Sequence, residues 1–221
     1  MKRDQGIGDP LYFTRYRREV ELVLSPPYGP LLDIGGGTGV TAAALKRNHR
    51  IERVGVIDFA VEKGGFDTTL DFAITADLER SDAIEQAGRD HGPFGLVLCL
   101  DVLEHLIDPW SVVKRIHTIL KPGASLVISV PNVNYLSVVA NLAVRGRWHL
   151  RDDGILDRTH LRFFVKDTAE ELATCSGLVL EQVASTHPGP SSAVYWVRKA
   201  TFGYPKRFFA FQYLLRARRL D

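Results

Sequence analysis

Cysteine is scarce: Cys99 and Cys175 are the only two in 221 residues. Both sit among apolar or small neighbours and neither belongs to a C-x-x-C pair, which excludes a disulfide scaffold and suits a reducing compartment. No window approaches the ~18 consecutive apolar residues that a membrane span needs, and Met1 to Gly6 have no apolar signal core behind them. A cytoplasmic protein is therefore expected. An excess of one charge is also missing. The chain is +2 overall, while Lys206, Arg207, Arg216, Arg218 and Arg219 against Asp221 give the last eighteen residues +4 and leave about −2 for the rest. Basicity belongs to the tail, so nucleic-acid binding across the fold is not expected. No G-x-x-x-x-G-K-[ST] and no nucleophile-base-acid order is present, which argues against kinases and hydrolases. The length suits one sizeable core rather than two full domains.

Against these absences stands the stretch Leu31-Leu32-Asp33-Ile34-Gly35-Gly36-Gly37-Thr38-Gly39. Leu31, Leu32 and Ile34 read as a buried strand, and Gly35, Gly37 and Gly39 as a turn that lets backbone approach a ligand closely. Val40 to Arg47 then form a helix whose N-terminus points free N–H groups into that turn. A nucleotide binds well in such a place. Gly37 to Ala42 also satisfies a loose G-x-G-x-x-A, so a nicotinamide-dependent oxidoreductase is one reading. Asp33, two residues before Gly35, opposes it, because a carboxylate repels a pyrophosphate and attracts a cationic ligand.

The form hydrophobic-acid-x-G-x-G-x-G, matched by Asp33, Gly35, Gly37 and Gly39, resembles the first motif of the class I S-adenosylmethionine-dependent methyltransferases. The resemblance implies an α/β fold with a Rossmann-like, doubly wound, seven-stranded sheet in the order 3-2-1-4-5-7-6, the last strand antiparallel, and helices on both faces. It also implies S-adenosyl-L-methionine as cofactor, with S-adenosyl-L-homocysteine as product.

Before the glycine turn, apolar positions at 11–24 suggest an N-terminal helix over one sheet face, stopped by Pro26 and Pro27. In the resembling family such a helix closes over the cofactor, which makes Tyr12, Arg15 and Tyr16 minor candidates. After the turn, Ile51 to Asp58 reads as a second strand. Asp58 lies nineteen residues past Gly39, a distance suited to an acid accepting from ribose hydroxyls. Phe59 beside it could lie against adenine or enter the core. Leu70, Phe72 and Ile74 alternate as a third strand. Asp77 and Leu78 stand where the family receives the adenine edge, and Asp77 also reads as the N-cap of a helix over 80–89.

Phe94 to Leu100 is the clearest buried strand, and it ends in Asp101-Val102-Leu103-Glu104-His105-Leu106. An acid there faces the ligand crevice of an open α/β sheet, which puts Asp101 and Val102 beside the transferable methyl. The hexapeptide resembles the ubiquinone-biosynthesis O-methyltransferases and their relatives in surface-polysaccharide pathways. A helix starts at Pro109, a fifth strand spans 124–130 and a helix spans 134–144. Residues 146–164 then read as a functional loop, a lid over the sheet edge. Within it, Gly154 to Phe164 again resembles the polysaccharide-associated enzymes, and Thr159-His160 the threonine-histidine of the ubiquinone O-methyltransferases.

Asp167 with Glu170 reads as the capping box of a helix through Cys175. Strands over 178–185 and 193–199 complete one domain over 1–199. The tail, 200–221, reads as a basic, aromatic helix that either docks on the domain or touches an anionic membrane peripherally.

Methyl transfer to a hydroxyl needs a base within reach, which makes His160 the first candidate, oriented by Asp157, and His105 the second. Glu104, His105, Asp157 and His160 lack metal-ligand spacing, so no metal is expected. The acceptor is expected to be a small molecule or a glycan: a sugar, polyketide or quinone-like hydroxyl. The alternatives are the nicotinamide oxidoreductase and a cofactor-binding partner protein without chemistry of its own.

Overall fold

Four consecutive buried residues, Leu31–Ile34, form β1 at the centre of the protein, and their continuous burial requires neighbours on both edges and both faces. The computed structural model describes residues 15–59 and 65–221. It supplies those edges as β2 (Val54–Asp58) on one side and β4 (Phe94–Leu100) on the other, both parallel to β1. With β3 (Phe72–Thr75), β5 (Leu120–Pro131), β6 (Val179–Thr186) and β7 (Gln212–Arg218), the sheet runs β3-β2-β1-β4-β5-β7-β6. β7 is antiparallel to both of its neighbours. The doubly wound order expected from the motifs is therefore present.

Alternate residues of each strand feed two cores. Leu32, Ile34, Val97, Cys99, Leu126 and Ile128 face α2 (Ala83–His91), α3 (Pro109–Ile119) and α5 (Lys166–Thr174). Leu31, Leu96, Leu98, Leu100 and Val127 face α1 (Val40–His49) together with Val20 and Val23. Each fully buried aliphatic or aromatic side chain contributes about 1.5–3 kcal/mol. A third cluster, Tyr135, Val138, Ile155, Val194 and Phe209, lies among α4 (Leu136–Arg145), the 146–164 segment and α6 (Ala193–Ala200). Ile155 thus anchors the lid in this cluster, while Phe164 at the lid's end enters the main core.

Several expectations need correction. Residues 193–199 are helix α6, not a strand: the Ser192 hydroxyl accepts from the Val194 N–H at 3.2 Å, capping a helix whose outer face exposes Trp196 and Val197. The seventh strand comes instead from the tail, so no C-terminal amphipathic helix forms to lie on a membrane. Tyr213, Leu214 and Leu215 are consecutive and all buried because β7 is an interior strand, covered on both faces, and such a run has neither a helical nor an alternating period. Its basic residues are absorbed at the sheet, Arg216 and Arg218 both pairing with Glu181 at 3.3 and 3.4 Å.

Of the expected 11–24 helix, residues 11–14, and Tyr12 with them, lie outside the described residues. The described part is a single 3-10 turn, Arg18–Leu22, which buries Val20 with Val23 three residues on. α2 starts at Ala83 after Asp82, so Asp77 caps only the preceding turn, its Oδ1 accepting from the Glu79 N–H at 2.9 Å. In α5 the side chain that reaches back is that of Thr168, accepting from the Val165 N–H at 3.0 Å, in place of the expected Asp167–Glu170 box. No helix among the described residues is long and apolar enough to cross a membrane.

Candidate active site

The strand order reverses between β1 and β4, and the carboxyl ends of these two strands frame the crevice where open α/β sheets hold ligands. Gly35, Gly37 and Gly39 all have positive φ, at 71°, 58° and 84°. A Cβ on Gly35 would stand 2.2 Å from Val102 Cγ2, so the turn after β1 and the loop after β4 touch only because the side chain is missing. Gly36, the unassigned position of the motif, is also required: a Cβ there would fall 2.6 Å from the carboxyl of Asp33.

Asp33 is 1% exposed, and its Oδ2 has no hydrogen-bond partner among the described residues. Burial, aided by the charge of Asp58 and opposed by Arg17, pushes its carboxyl up to about 7. A buried acid without partners beneath a bare backbone turn is a vacancy for positive charge. Asp58, at the end of β2, accepts from the Gly37 N–H through Oδ2 at 2.8 Å and so ties the second strand to the turn. Phe59 is largely exposed at the mouth. Around the turn opens a shallow cleft, walled in part by Arg15, Arg17, Asp33 and Thr41.

The adenine-side candidates are held from below. Leu78 is buried and its carbonyl accepts from Arg115, which also takes the Ser81 carbonyl and pairs with Glu85 at 2.6 Å. Asp77 is half-buried beside it.

Asp101 follows β4 with φ 54°, a left-handed conformation uncommon outside glycine, Asn and Asp. Its carboxylate is the most heavily bonded in the site. Oδ1 accepts from the Ser129 hydroxyl at 2.7 Å and from the Gln212 amide, and Oδ2 pairs with Arg17 at 2.6 Å. Ser129, Gln212 and Arg17 were not recognisable as site residues in the sequence. Gln212 opens β7, within the stretch that reads as a tail helix.

Past Asp101, a 3-10 turn at Leu103–His105 brings together three more candidates. Glu104 is 1% exposed, both carboxyl oxygens lack a hydrogen-bond partner among the described residues, and burial, then the Asp101 charge, raises its carboxyl well above the usual value. Its backbone carbonyl accepts from the N–H groups of Leu161 and Arg162 at 2.8 and 2.9 Å, fastening the lid to the sheet. The rings of His105 and His160 meet edge to face at 4.7 Å. Glu104, His105 and His160 each bring one ligand-type atom to within 4.8 Å of the others, a convergence that their sequence spacing does not reveal.

Asp157 serves a different histidine from the one expected. Its Oδ1 accepts from the Thr159 hydroxyl at 2.6 Å, and that hydroxyl lies 3.0 Å from His105 Nδ1, so Asp157 orients His105 through Thr159. His160 is instead held by the Ile155 carbonyl, 3.1 Å from Nδ1. A carbonyl can only accept, so Nδ1 carries the hydrogen and Nε2 presents its lone pair. Burial and the neighbouring His160 lower the pKa of His105 below its usual value.

A bare turn over an unpaired acid, with acids at the ends of the neighbouring strands, defines a site for a cationic nucleoside. A family model described as a methyltransferase domain matches residues 11–183, and the chain belongs to that family. It is an S-adenosylmethionine-dependent methyltransferase, which sets the nicotinamide reading aside. Among curated proteins it is similar to the ubiquinone biosynthesis O-methyltransferase of Xanthomonas campestris pv. campestris, 28% identical over 166 residues covering 70% of this chain and 68% of the relative. It also resembles the enzyme of that name from Aeromonas salmonicida, at 27% over 167 residues, 73% and 68% of the two chains. A solved S-adenosylmethionine-dependent methyltransferase from Archaeoglobus fulgidus shares the fold, with TM-score 0.61, 16% identity and coverage of 95% and 93%. So does the Haemonchus contortus phosphoethanolamine N-methyltransferase 2 in complex with S-adenosyl-L-methionine, with TM-score 0.56, 16% identity and coverage of 91% and 51%.

The residues present fit that cofactor. The orphaned Oδ2 of Asp33 offers a counter-charge, and the glycine turn offers backbone without side chains.

Proposed function

We propose that this methyltransferase acts on a hydroxyl oxygen of a small-molecule or glycan acceptor, with His160 removing the hydroxyl proton. The observation that carries the reading is the placement of the His160 ring: Nδ1 lies 3.1 Å from the Ile155 carbonyl, and Nε2 has no hydrogen bond among the described residues. S-adenosylmethionine, when bound, supplies a methyl carbon activated by positive sulfur. The chain supplies position, charge and a proton acceptor.

Asp33 faces the cationic methionine end, beside the backbone of Gly35, Gly37 and Gly39. Arg17, in the wall of the same cleft, is paired with Asp101 and Glu19 and so ties the N-terminal segment to the end of β4. Asp58 receives the ribose, and Phe59, Asp77 and Leu78 border the adenine. Asp101 and Val102 stand at the methyl end, Asp101 immobilised by Ser129 and Gln212. Opposite them, His160 Nε2 takes the proton of the acceptor hydroxyl as its oxygen bonds to carbon. His105, with Asp157 and Thr159 behind it, fixes the angle of the His160 ring. Glu104, buried beside His105, has its neutral form favoured by burial and by the Asp101 charge.

Trp148 and Phe163 pack edge to face at 5.2 Å, both well exposed, and Phe163 lies 6.4 Å from His160. A partly exposed aromatic pair beside the base suits the flat face of a sugar better than a deep apolar slot would.

The test is adenosylhomocysteine release with a panel of catechols and free or activated sugars. His160→Gln should lower kcat by about 10²- to 10⁴-fold, the usual worth of a general base, without changing adenosylhomocysteine affinity. Unchanged kcat in that variant would remove His160 from the chemistry.

A further inference from the structure

Beside the candidate centre, between α4 and the lid, lies a second cleft of about 1010 Å³, open to solvent. Its floor is apolar: Tyr135, Val138, Ile155 and Phe211, with the Tyr135 and Phe211 rings packed edge to face at 5.4 Å. Its rim is cationic. Arg145, Arg147 and Arg151 line it with His149, and Asp153 is the one acid among them.

Arg147 and Arg151 are held by their backbones. Gly146 ends α4 in the left-handed conformation and the Arg147 N–H donates to the Asn141 carbonyl at 3.2 Å. Arg151 pairs with Asp157 in an isolated bridge, its N–H donating to the Leu156 carbonyl at 2.8 Å and its own carbonyl accepting from the Arg158 N–H at 2.9 Å. Yet among the described residues neither guanidinium has a side-chain partner. By contrast, Arg145 is bonded to Asn141 at 2.8 Å and Arg158 to Asp152 at 2.7 Å. Two guanidinium forks without protein partners among the described residues, lining one concavity with a surplus of positive charge, suit phosphate oxygens, which accept bidentate bonds from arginine.

Two lining residues adjoin the candidate centre: Ile155 carries the carbonyl that holds His160, and Phe211 precedes Gln212, which binds Asp101. A ligand anchored on the arginine rim would lay its remainder on the apolar floor, against the residue that holds His160.

We propose that this cleft is an anion subsite for the acceptor, and that the acceptor carries a phosphate or diphosphate joined to an apolar or planar group. The inference rests on the methyl-transfer reading above for the direction in which the acceptor points, but the binding it asserts is measurable without turnover. Diphosphates of this kind occur on nucleotide-linked and on lipid-linked sugars, and the shared chemistry is the diphosphate.

The experiment is calorimetric titration of the full chain, saturated with adenosylhomocysteine, with inorganic pyrophosphate, uridine diphosphate and farnesyl diphosphate. Binding of at least one organic diphosphate more tightly than pyrophosphate is expected, and it should weaken as salt is raised. Arg147→Gln and Arg151→Gln should each weaken it by about tenfold, as expected for loss of a charge-assisted hydrogen-bond pair, whereas Lys114→Gln on the exposed side of α3 should not. The tighter of the uridine and farnesyl compounds identifies the carrier. No binding of any of the three up to millimolar concentration, or equal binding by the Arg147→Gln/Arg151→Gln double variant, overturns the subsite. Failure of adenosylhomocysteine itself to bind would instead bring down the methyl-transfer assignment.

Discussion

Placed against the cofactor's positive charge as proposed, the buried carboxyl of Asp33 should make cofactor affinity depend on pH. In the free protein burial pushes this group up to about 7, from an ordinary 3.8. A cationic ligand beside it favours the carboxylate, so binding expels the proton wherever the free protein still holds it. With a free-state value near 7 and a much lower value in the complex, about a tenth of the protein is ready to bind at pH 6 and about nine-tenths at pH 8. Affinity for S-adenosylmethionine should therefore rise roughly tenfold across that interval, about 1.4 kcal/mol, and level off above it. Titration in two buffers of different ionisation enthalpy counts the released proton directly. Asp33→Asn serves as control: it binds more weakly, and any pH trend it retains belongs to the ligand's own amino group. The same group bears on stability. Between about 4 and 7 the unfolded chain has lost the proton that the folded chain keeps, so stability falls as pH rises through that window. Above it the deficit approaches ~4 kcal/mol as an upper bound. Asp33→Asn should accordingly melt above the wild type at pH 8, with the gap closing towards pH 4. Equal affinity at pH 6 and pH 8 after subtracting the control, with no buffer-dependent heat, would refute the electrostatic account of this site.

Gly35→Ala forces a side chain into φ 71° and against Val102, 2.2 Å from the new Cβ; it should cost at least ~1–2 kcal/mol in denaturant melts and abolish adenosylhomocysteine binding. Adding Val102→Ala relieves the collision but not the backbone strain, so recovery should be partial. Thr159→Val cuts the link from Asp157 to His105. It should reduce kcat by about tenfold while leaving adenosylhomocysteine affinity intact, and an unchanged kcat would show that His105 needs no such support. Gln212→Ala removes the amide that donates to Asp101 Oδ1 beside the Ser129 hydroxyl and should lower stability by about 1–3 kcal/mol, read from urea midpoints.

The glycine turn and the strand before it were legible because their pattern is local. Asp33, Gly35, Gly37 and Gly39 lie within seven residues, and the positive φ angles their pattern demands are present. The strand ends at Asp58 and Asp101 followed from buried apolar runs, which report position in a parallel sheet directly. What failed were elements whose identity is set by distant partners. Residues 193–199 and 212–218 carry similar mixtures of apolar and basic side chains. One became a helix and the other a strand because only the second is enclosed between β5 and β6. Pairing within the acceptor half was equally hidden. Asp157 lies three residues from His160 in sequence but serves His105 through Thr159, since the turn at Asp157–His160 directs its carboxylate back onto that hydroxyl. The polar network on Asp101 joins residues 17, 101, 129 and 212, separations at which periodicity carries no information.

The insertion of β7 between β5 and β6 couples folding to competence. β6 reaches the rest of the sheet only through β7, and β7 pairs with β5 across about ninety residues of intervening chain, Ser125 against Arg218, a slow kind of closure. The amide that steadies Asp101 arrives with that same strand. A chain still waiting for its last pairing can have formed the glycine turn and yet lacks the Gln212 amide on Asp101, so on the proposed reading a partly folded molecule should be silent rather than indiscriminate.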